Sequence, residues 1–240
     1  MILRIHGEDP GDAQTAPAEP ADEGEIPMKI VVLAGGISTE RDVSLVSGIS
    51  VCRALRENGH RAIFVDLFLG MPEVPADLET LFDAPDGLCP QVRIQAAPAD
   101  LEAVRRSRAD QSPSHFGPHV LDICAQADIV FLALHGQDGE DGRVQATFDL
   151  LGIRYTGGGY LASGMAMDKS IAKKIMDQAG IPNAPWRDIP HYTEADIPRL
   201  TEELEVPCAV KVVNGGSSLG LALPDTKEEL ETALRELLRY

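Results

Sequence analysis

Positive charge is scarce in this chain of 240 residues: 21 Lys and Arg stand against 38 Asp and Glu, for a net charge of −17. Such a chain repels phosphate backbones and anionic headgroups at long range. Nucleic acid and membrane surfaces are therefore excluded as general partners, and only a local basic pocket for one small anion remains open. Cysteine is equally sparse. Cys52, Cys89, Cys124 and Cys208 lie far apart, form no CxxC pair and sit mostly in apolar contexts, so a reducing cytoplasm is the simplest expectation. No run approaches the roughly 18 apolar residues of a membrane span, and the first residues lack the cationic flank and apolar core of a secretory signal. Internal repeats and coiled-coil heptads are absent too. What is present, 44% apolar and 25% charged residues, is ordinary globular composition, enough for one large domain or two modest ones.

Glu8–Pro27 is built from Pro, Ala and acids with almost no large apolar side chains, and residues 1–27 are read as a disordered acidic tail. Lys29–Ala34 (KIVVLA) reads as a parallel strand buried on both faces, closing on Gly35 and Gly36. A helix over Val43–Leu55 follows, stopped by Asn58 and Gly59, and Arg61–Leu67 is the next strand. This βαβ unit puts the first glycine turn at the carboxyl edge of a sheet, where α/β ligands bind. From Gly70 to Pro118 periodicity is weak, apart from a short helix around Asp77–Phe82 and a basic patch at Arg105, Arg106 and Arg108. Ala127–Leu134 is the third strand, Arg143–Leu151 a helix capped by Gly152, and Ile153–Thr156 a short strand. Ala166–Ala179 is a helix ended by Gly180 and Pro182. Cys208–Val213 and Leu221–Leu223 then read as two strands around a flexible loop, before a charged helix over Thr226–Leu238.

Four places carry chemistry. In GGISTERDVS (Gly35–Ser44), backbone amides and a helix amino end converge on an anion, although Asp42 or Ser44 could simply cap the helix. The glycine spacing is not GxGxxG, which makes a nicotinamide cofactor improbable. Glu40 and Arg41 add two charges that capping does not require. HGQDGEDG (His135–Gly142) sets a His at a strand end, glycines that allow close backbone approach, and Glu140 and Asp141 at a helix start. Lys169 opens a helix, where a cation opposes the dipole and an anionic partner is expected, while Lys173 and Lys174 read as solvated. Lys211 lies in a β-branched strand, where an unpaired ammonium is costly to bury. The NGGSSLG that follows it lacks the Walker order; it reads as an ordinary hairpin or as a flap over phosphates.

Taken together, Gly35–Gly48, Leu134–Gln145, Tyr155–Lys169, Ile181–Trp186 and Val210–Gly220, in this order and spacing, resemble the D-alanine–D-alanine ligases. The resemblance implies an α/β chain: an amino-terminal parallel-sheet (pre-ATP-grasp) substrate domain over residues 28–165, then the first, incomplete part of an ATP-grasp domain over 166–240. It implies ATP and magnesium as cofactors, D-alanine as substrate, a cytoplasmic, homodimeric full-length enzyme, and a dipeptide product for peptidoglycan synthesis. Carried over by motif, Glu40 holds the ammonium of the first D-alanine, Ser44 and His135 line its pocket, and Glu140 steadies a flexible loop. Ser217 connects to Glu40 and orients the second substrate. Lys169, Lys211, Gly216 and Ser218 face ATP phosphates.

Val212 departs from the family, which often has Pro after the lysine. The family also continues for roughly another domain's worth of chain. The magnesium carboxylates are expected there and no metal ligand here, so residues 1–240 alone are expected to show little ligase activity. Two other readings stay open: a binding module that keeps the pocket without catalysis, and an ATP-grasp ligase with another acceptor, D-lactate or D-serine.

Overall fold

A computed structural model describes residues 26–91, 99–214 and 220–239. The acidic tail up to residue 25 and the loop residues Gly216, Ser217 and Ser218 fall outside the described residues. β1 (Lys29–Ala34) pairs in parallel with β2 (Arg61–Asp66) on one side and with β3 (Ile129–Leu132) on the other, giving the order β2-β1-β3. The strand expected over Ile153–Thr156 contributes one parallel bridge, Tyr155 to Val130.

Alternation along β1 divides the core into two layers. Ile30, Val32 and Ala34 face α1 (Arg41–Glu57), meeting Leu45, Ile49 and Cys52. Val31 and Leu33 face the other side, against Phe82, Ile123 and Phe148. These come from a 3-10 turn (Leu78–Asp83), α3 (Val120–Cys124) and α4 (Arg143–Leu151). α1 lies close to the sheet because Gly48 has no side chain: a Cβ there would sit 2.5 Å from that of Ala34. It ends as its sequence requires, with Asn58 as cap and Gly59 at φ 86°.

Two elements were not expected, one inside the stretch of weak periodicity and one just after Pro118. One is α2 (Leu101–Ser107), capped by the Asp100 carboxylate on Ala103 N–H; the other is the five-residue α3. The basic patch is not a patch. Arg108 is 3% exposed; it bonds Asp110 and the carbonyls of Ser114 and Phe116, and lies 4.8 Å over the Phe68 ring. Burying a guanidinium requires such partners, and the sequence alone did not reveal them.

The helix expected over Ala166–Ala179 is two helices, α5 (Tyr160–Met167) and α6 (Lys169–Gln178). Asp168 separates them: its backbone is extended and its carboxylate accepts from Ile171 N–H, the geometry of an N-cap rather than a helix interior. Lys173 bonds Asn183 and the Ala184 carbonyl, and Lys174 pairs with Asp188, so both tie α6 to the segment after it.

A small third core joins α7 (Ile197–Glu203) to α8 (Lys227–Leu237) through Ile197, Leu200, Leu230 and Leu234. Helix α8, the expected charged helix, buries one stripe at Leu230, Ala233 and Leu234 and turns its acids outward. Beside it, β4 (Val210–Lys211) pairs antiparallel with β5 (Leu221–Ala222). The six-residue strand expected from Cys208 shrinks to these two residues, with single backbone bonds from Cys208 to Pro224 and from Val212 to Gly220 at its ends.

Candidate functional site

The two glycine turns meet at the carboxyl edge of the sheet, where β1 and β3 both end. Two hydrogen bonds to His135 join them, and three further contacts order each turn within itself. Ser38 Oγ donates to the His135 carbonyl at 2.7 Å and accepts from Glu40 N–H at 3.2 Å. Ser47 Oγ lies 3.1 Å from His135 Nε2. His135 Nδ1 is 3.9 Å from Glu140 Oε1, and the other oxygen of Glu140 accepts from Gly136 N–H at 2.8 Å. Gly136 sits at φ 73°, and a Cβ on it would lie 2.6 Å from Glu40 Oε2, so a glycine is required for the Glu40 carboxylate to rest there. Glu40, His135 and Glu140 thus stand together around one turn.

The two charges that distinguish the first turn have separate fates. Arg41 turns inward, donating to the Gly36 carbonyl and pairing with both carboxylate oxygens of Asp66 at the end of β2. Asp66 also accepts from the amides of Phe68 and Leu69. The arginine is a clamp that fixes the loop, and it leaves Glu40 as the charge facing the turn. Neither Asp42 nor Ser44 caps α1; Glu40 occupies the cap position without a side-chain bond. Ser44 is fully buried, accepting from Gly35 N–H at 2.8 Å and donating to the Ala133 carbonyl at 2.7 Å, which stitches β1 to β3. Ser47, one turn further along α1, is the serine that reaches His135. Its i+3 spacing from Ser44 was the signal that could have found it.

A second group forms between α6 and the hairpin. The Lys169 amide and its ammonium both donate to the Val213 carbonyl, at 3.3 and 3.2 Å. Val213 is two residues beyond Lys211, and the two lysines are near enough to influence each other. Burial first, and then the like charge of Lys211, hold the Lys169 ammonium below the ordinary lysine value of 10.5, while Asp168 pulls the other way. Lys211 itself is exposed, so the expectation that burial forces it onto an anion does not hold. What stands instead is the pairing of like charges, held beside each other by α6 and β4. Val212 donates its N–H to the Gly220 carbonyl at 3.0 Å, a bond that a proline at this position could not make.

Sequence reading missed Ser38, Asp66, His115 and Asp138. Asp138 Oδ2 lies 2.5 Å from His115 Nδ1, with Arg143 at 3.4 Å on its other oxygen. Among the described residues, no group of three or more His, Cys, Asp or Glu side chains could hold a metal ion.

The family model for the D-ala D-ala ligase N-terminus matches residues 29–158, and that for the D-ala D-ala ligase C-terminus matches residues 175–240. The D-alanine–D-alanine ligase of Lacticaseibacillus casei is 44% identical over 213 residues, which are 89% of this chain and 58% of that relative. The one from Pediococcus pentosaceus is 43% identical over 214 residues, 89% of this chain and 60% of its own length. The chain thus spans about 58–60% of the length of these relatives. Among solved structures, the D-alanine–D-alanine ligase from Bacillus anthracis is 27% identical, with a TM-score of 0.55 over 88% of this chain and 54% of its own. D-alanyl-alanine synthetase A from Vibrio cholerae, at 23% identity and a TM-score of 0.58, covers 90% of this chain and 57% of its own and shares its fold.

Proposed function

Because the chain belongs to the D-alanine–D-alanine ligase family, we propose that it forms the amino-acid turn and the first wall of the nucleotide cleft of an ATP-dependent ligase that joins two D-alanines. In that reaction the γ-phosphoryl group of ATP passes to the carboxylate of one D-alanine. The amine of the second then attacks the D-alanyl phosphate, phosphate leaves, and a peptide bond remains. The homodimeric state, the cytoplasmic location, the role in peptidoglycan synthesis and the division near residue 165 belong to the same reading.

The observation that carries it is the bond from the Lys169 ammonium to the Val213 carbonyl, which brings it to the end of the strand that holds Lys211, in a molecule with a net charge of −17. Two ammonium groups held together by separate elements raise each other's free energy, and a polyphosphate lowers it for both at once. Glu40, turned toward Gly136 while Arg41 is occupied elsewhere, is suited to an ammonium, that of the first D-alanine. His135, polarised between Ser47 and Glu140, lines the same turn. Ser44 acts on this pocket from beneath, by fixing the ends of β1 and β3. Gly216 and Ser218 are assigned to ATP phosphates, and Ser217 to orientation of the second substrate, from the motif alone.

Titrating the 240-residue chain with ATP and with D-alanine tests this. ATP binding that survives in the parent and is lost in both Lys169→Met and Lys211→Met is the expected result. ATP binding indifferent to both substitutions overturns the reading. A second reading, a binding module without catalysis, is favoured by the lack of a metal-holding cluster among the described residues. Phosphate release by this chain joined to the carboxy-terminal part of a family member separates the two: D-alanine-dependent release in ATP and magnesium marks a ligase, and release with D-lactate or D-serine instead marks another acceptor.

A further inference from the structure

The turn that carries His135 and Glu140 is held from below through Asp138, a residue of the same turn, by His115, which lies outside every motif. Asp138 stands between them at φ 72°, a left-handed backbone that aspartate tolerates better than most non-glycine residues. Its carboxylate is 4% exposed and must be paired to be tolerated there. Arg143 reaches it at 3.4 Å, but that side chain is 61% exposed and is shared with Asp141. The short contact is to His115 Nδ1, at 2.5 Å. A carboxylate oxygen only accepts, so Nδ1 is the nitrogen that carries hydrogen.

His115 is itself held in place. The carbonyls on either side of it, those of Ser114 and Phe116, both accept from the buried Arg108 guanidinium, which stacks over Phe68. Phe68 donates its N–H to Asp66, and Asp66 holds Arg41, which holds the Gly36 carbonyl. The contacts therefore run without a gap from the first glycine turn, through the region of weak periodicity, to the second.

We propose that His115 is a positioning residue: through Asp138 it sets the left-handed turn that presents His135 and Glu140 to the amino-acid substrate. This rests on the reading of that turn as the D-alanine site. Arg108 supplies rigidity, His115 supplies the hydrogen bond, and neither touches the substrate.

The test compares the parent chain, His115→Leu and His115→Asn, the last of which keeps an N–H donor near the position of Nδ1. Two readouts are used: D-alanine affinity by calorimetry, and the ¹⁵N shift of His135 Nε2 in the free protein, which reports its contact with Ser47. His115→Leu is expected to fold, to shift the His135 signal and to weaken D-alanine binding about tenfold, the effect of one charge-assisted hydrogen bond. His115→Asn is expected to restore both. An unchanged His135 signal in His115→Leu, failure of Asn to restore it, or loss of the fold in His115→Leu overturns the positioning role. A parent chain that binds no D-alanine overturns the substrate reading instead, and the His135 signal still decides whether His115 sets the turn.

Discussion

The Arg41 guanidinium lies against the Asp66 carboxylate in a two-point contact, Nη2 to Oδ2 at 2.5 Å and Nη1 to Oδ1 at 3.2 Å, with both side chains nearly buried. The pair fixes the first glycine turn to the end of β2, and a Cβ at Gly35 would collide with the same carboxylate. Breaking one side leaves a buried charge without its counterpart. Asp66→Ala is therefore expected to destabilise the fold by about 3–5 kcal/mol, whereas replacing both residues with apolar ones costs much less. Urea unfolding of the two variants measures the difference. Equal losses would show that the pair is not the clamp inferred here.

How much of this could be read beforehand differs by element. β1, α1 and α4 were legible because each combines an uninterrupted periodic or apolar run with a glycine or asparagine stop, local signals that packing does not override. Arg41 and Arg108 were not legible. Their partners, Asp66 and the carbonyls of Ser114 and Phe116, are fixed by tertiary structure, so each looked like a loop charge or a surface patch. The broken helix at Asp168 is an intermediate case, since an aspartate followed three residues later by an apolar run fits an N-cap as well as an interior position. Ser44 and Ser47 share one face of α1, and spacing alone could not say which hydroxyl goes to the backbone and which to His135.

Burial and the nearby charge of Lys211 give the Lys169 ammonium a small penalty in the folded chain, which a bound phosphate is expected to remove. A lysine held below its ordinary value is disfavoured in its charged form by folding, wherever both folded and unfolded chains carry the proton. That penalty fades as pH rises through the native-state value toward 10.5. Lys211→Met is accordingly expected to melt at the same temperature as the parent or slightly higher at neutral pH, with the difference shrinking in alkaline buffer. In the same variant, ATP binding should weaken by about tenfold or more, as expected for a lost charge-assisted contact. Thermal melts across pH, paired with ATP titrations, check both; a variant that melts lower and binds ATP normally contradicts both.

The thiols should divide into two classes. Burial pushes Cys124 up to about 12; burial first, and then contact with Cys89, push Cys52 to about 12 as well. A thiolate is the reactive form, so both should resist alkylation at pH 8 while the chain is folded. Cys89 and Cys208 are partly exposed. Mass spectrometry after brief iodoacetamide treatment should find label at those two positions only, and at all four once denaturant is present. Rapid native labelling of Cys52 or Cys124 would mean that the layer between α1 and the sheet, or the core beneath α3, opens far more readily than its packing implies.

The hairpin that carries Lys211 is short enough for one backbone bond to matter. Val210 with Ala222 and Lys211 with Leu221 pair across it, and the bonds from Cys208 N–H to the Pro224 carbonyl and from Val212 N–H to the Gly220 carbonyl extend the ladder at its two ends. Val212→Pro deletes that donor and costs about 1 kcal/mol, in keeping with a single backbone hydrogen bond. Proline at a strand end is otherwise well tolerated, and its fixed φ also suits extended backbone. The loss should therefore be local rather than global: faster amide exchange at Val210 and Ala222, the neighbouring bonded pair of the hairpin, with little change in the melting temperature of the β2-β1-β3 domain. If Lys211 depends on that bond for its position near Lys169, ATP affinity falls in step with the exchange rate. If affinity holds while exchange rises, the ammonium is positioned by α6 and the ligand rather than by the ladder.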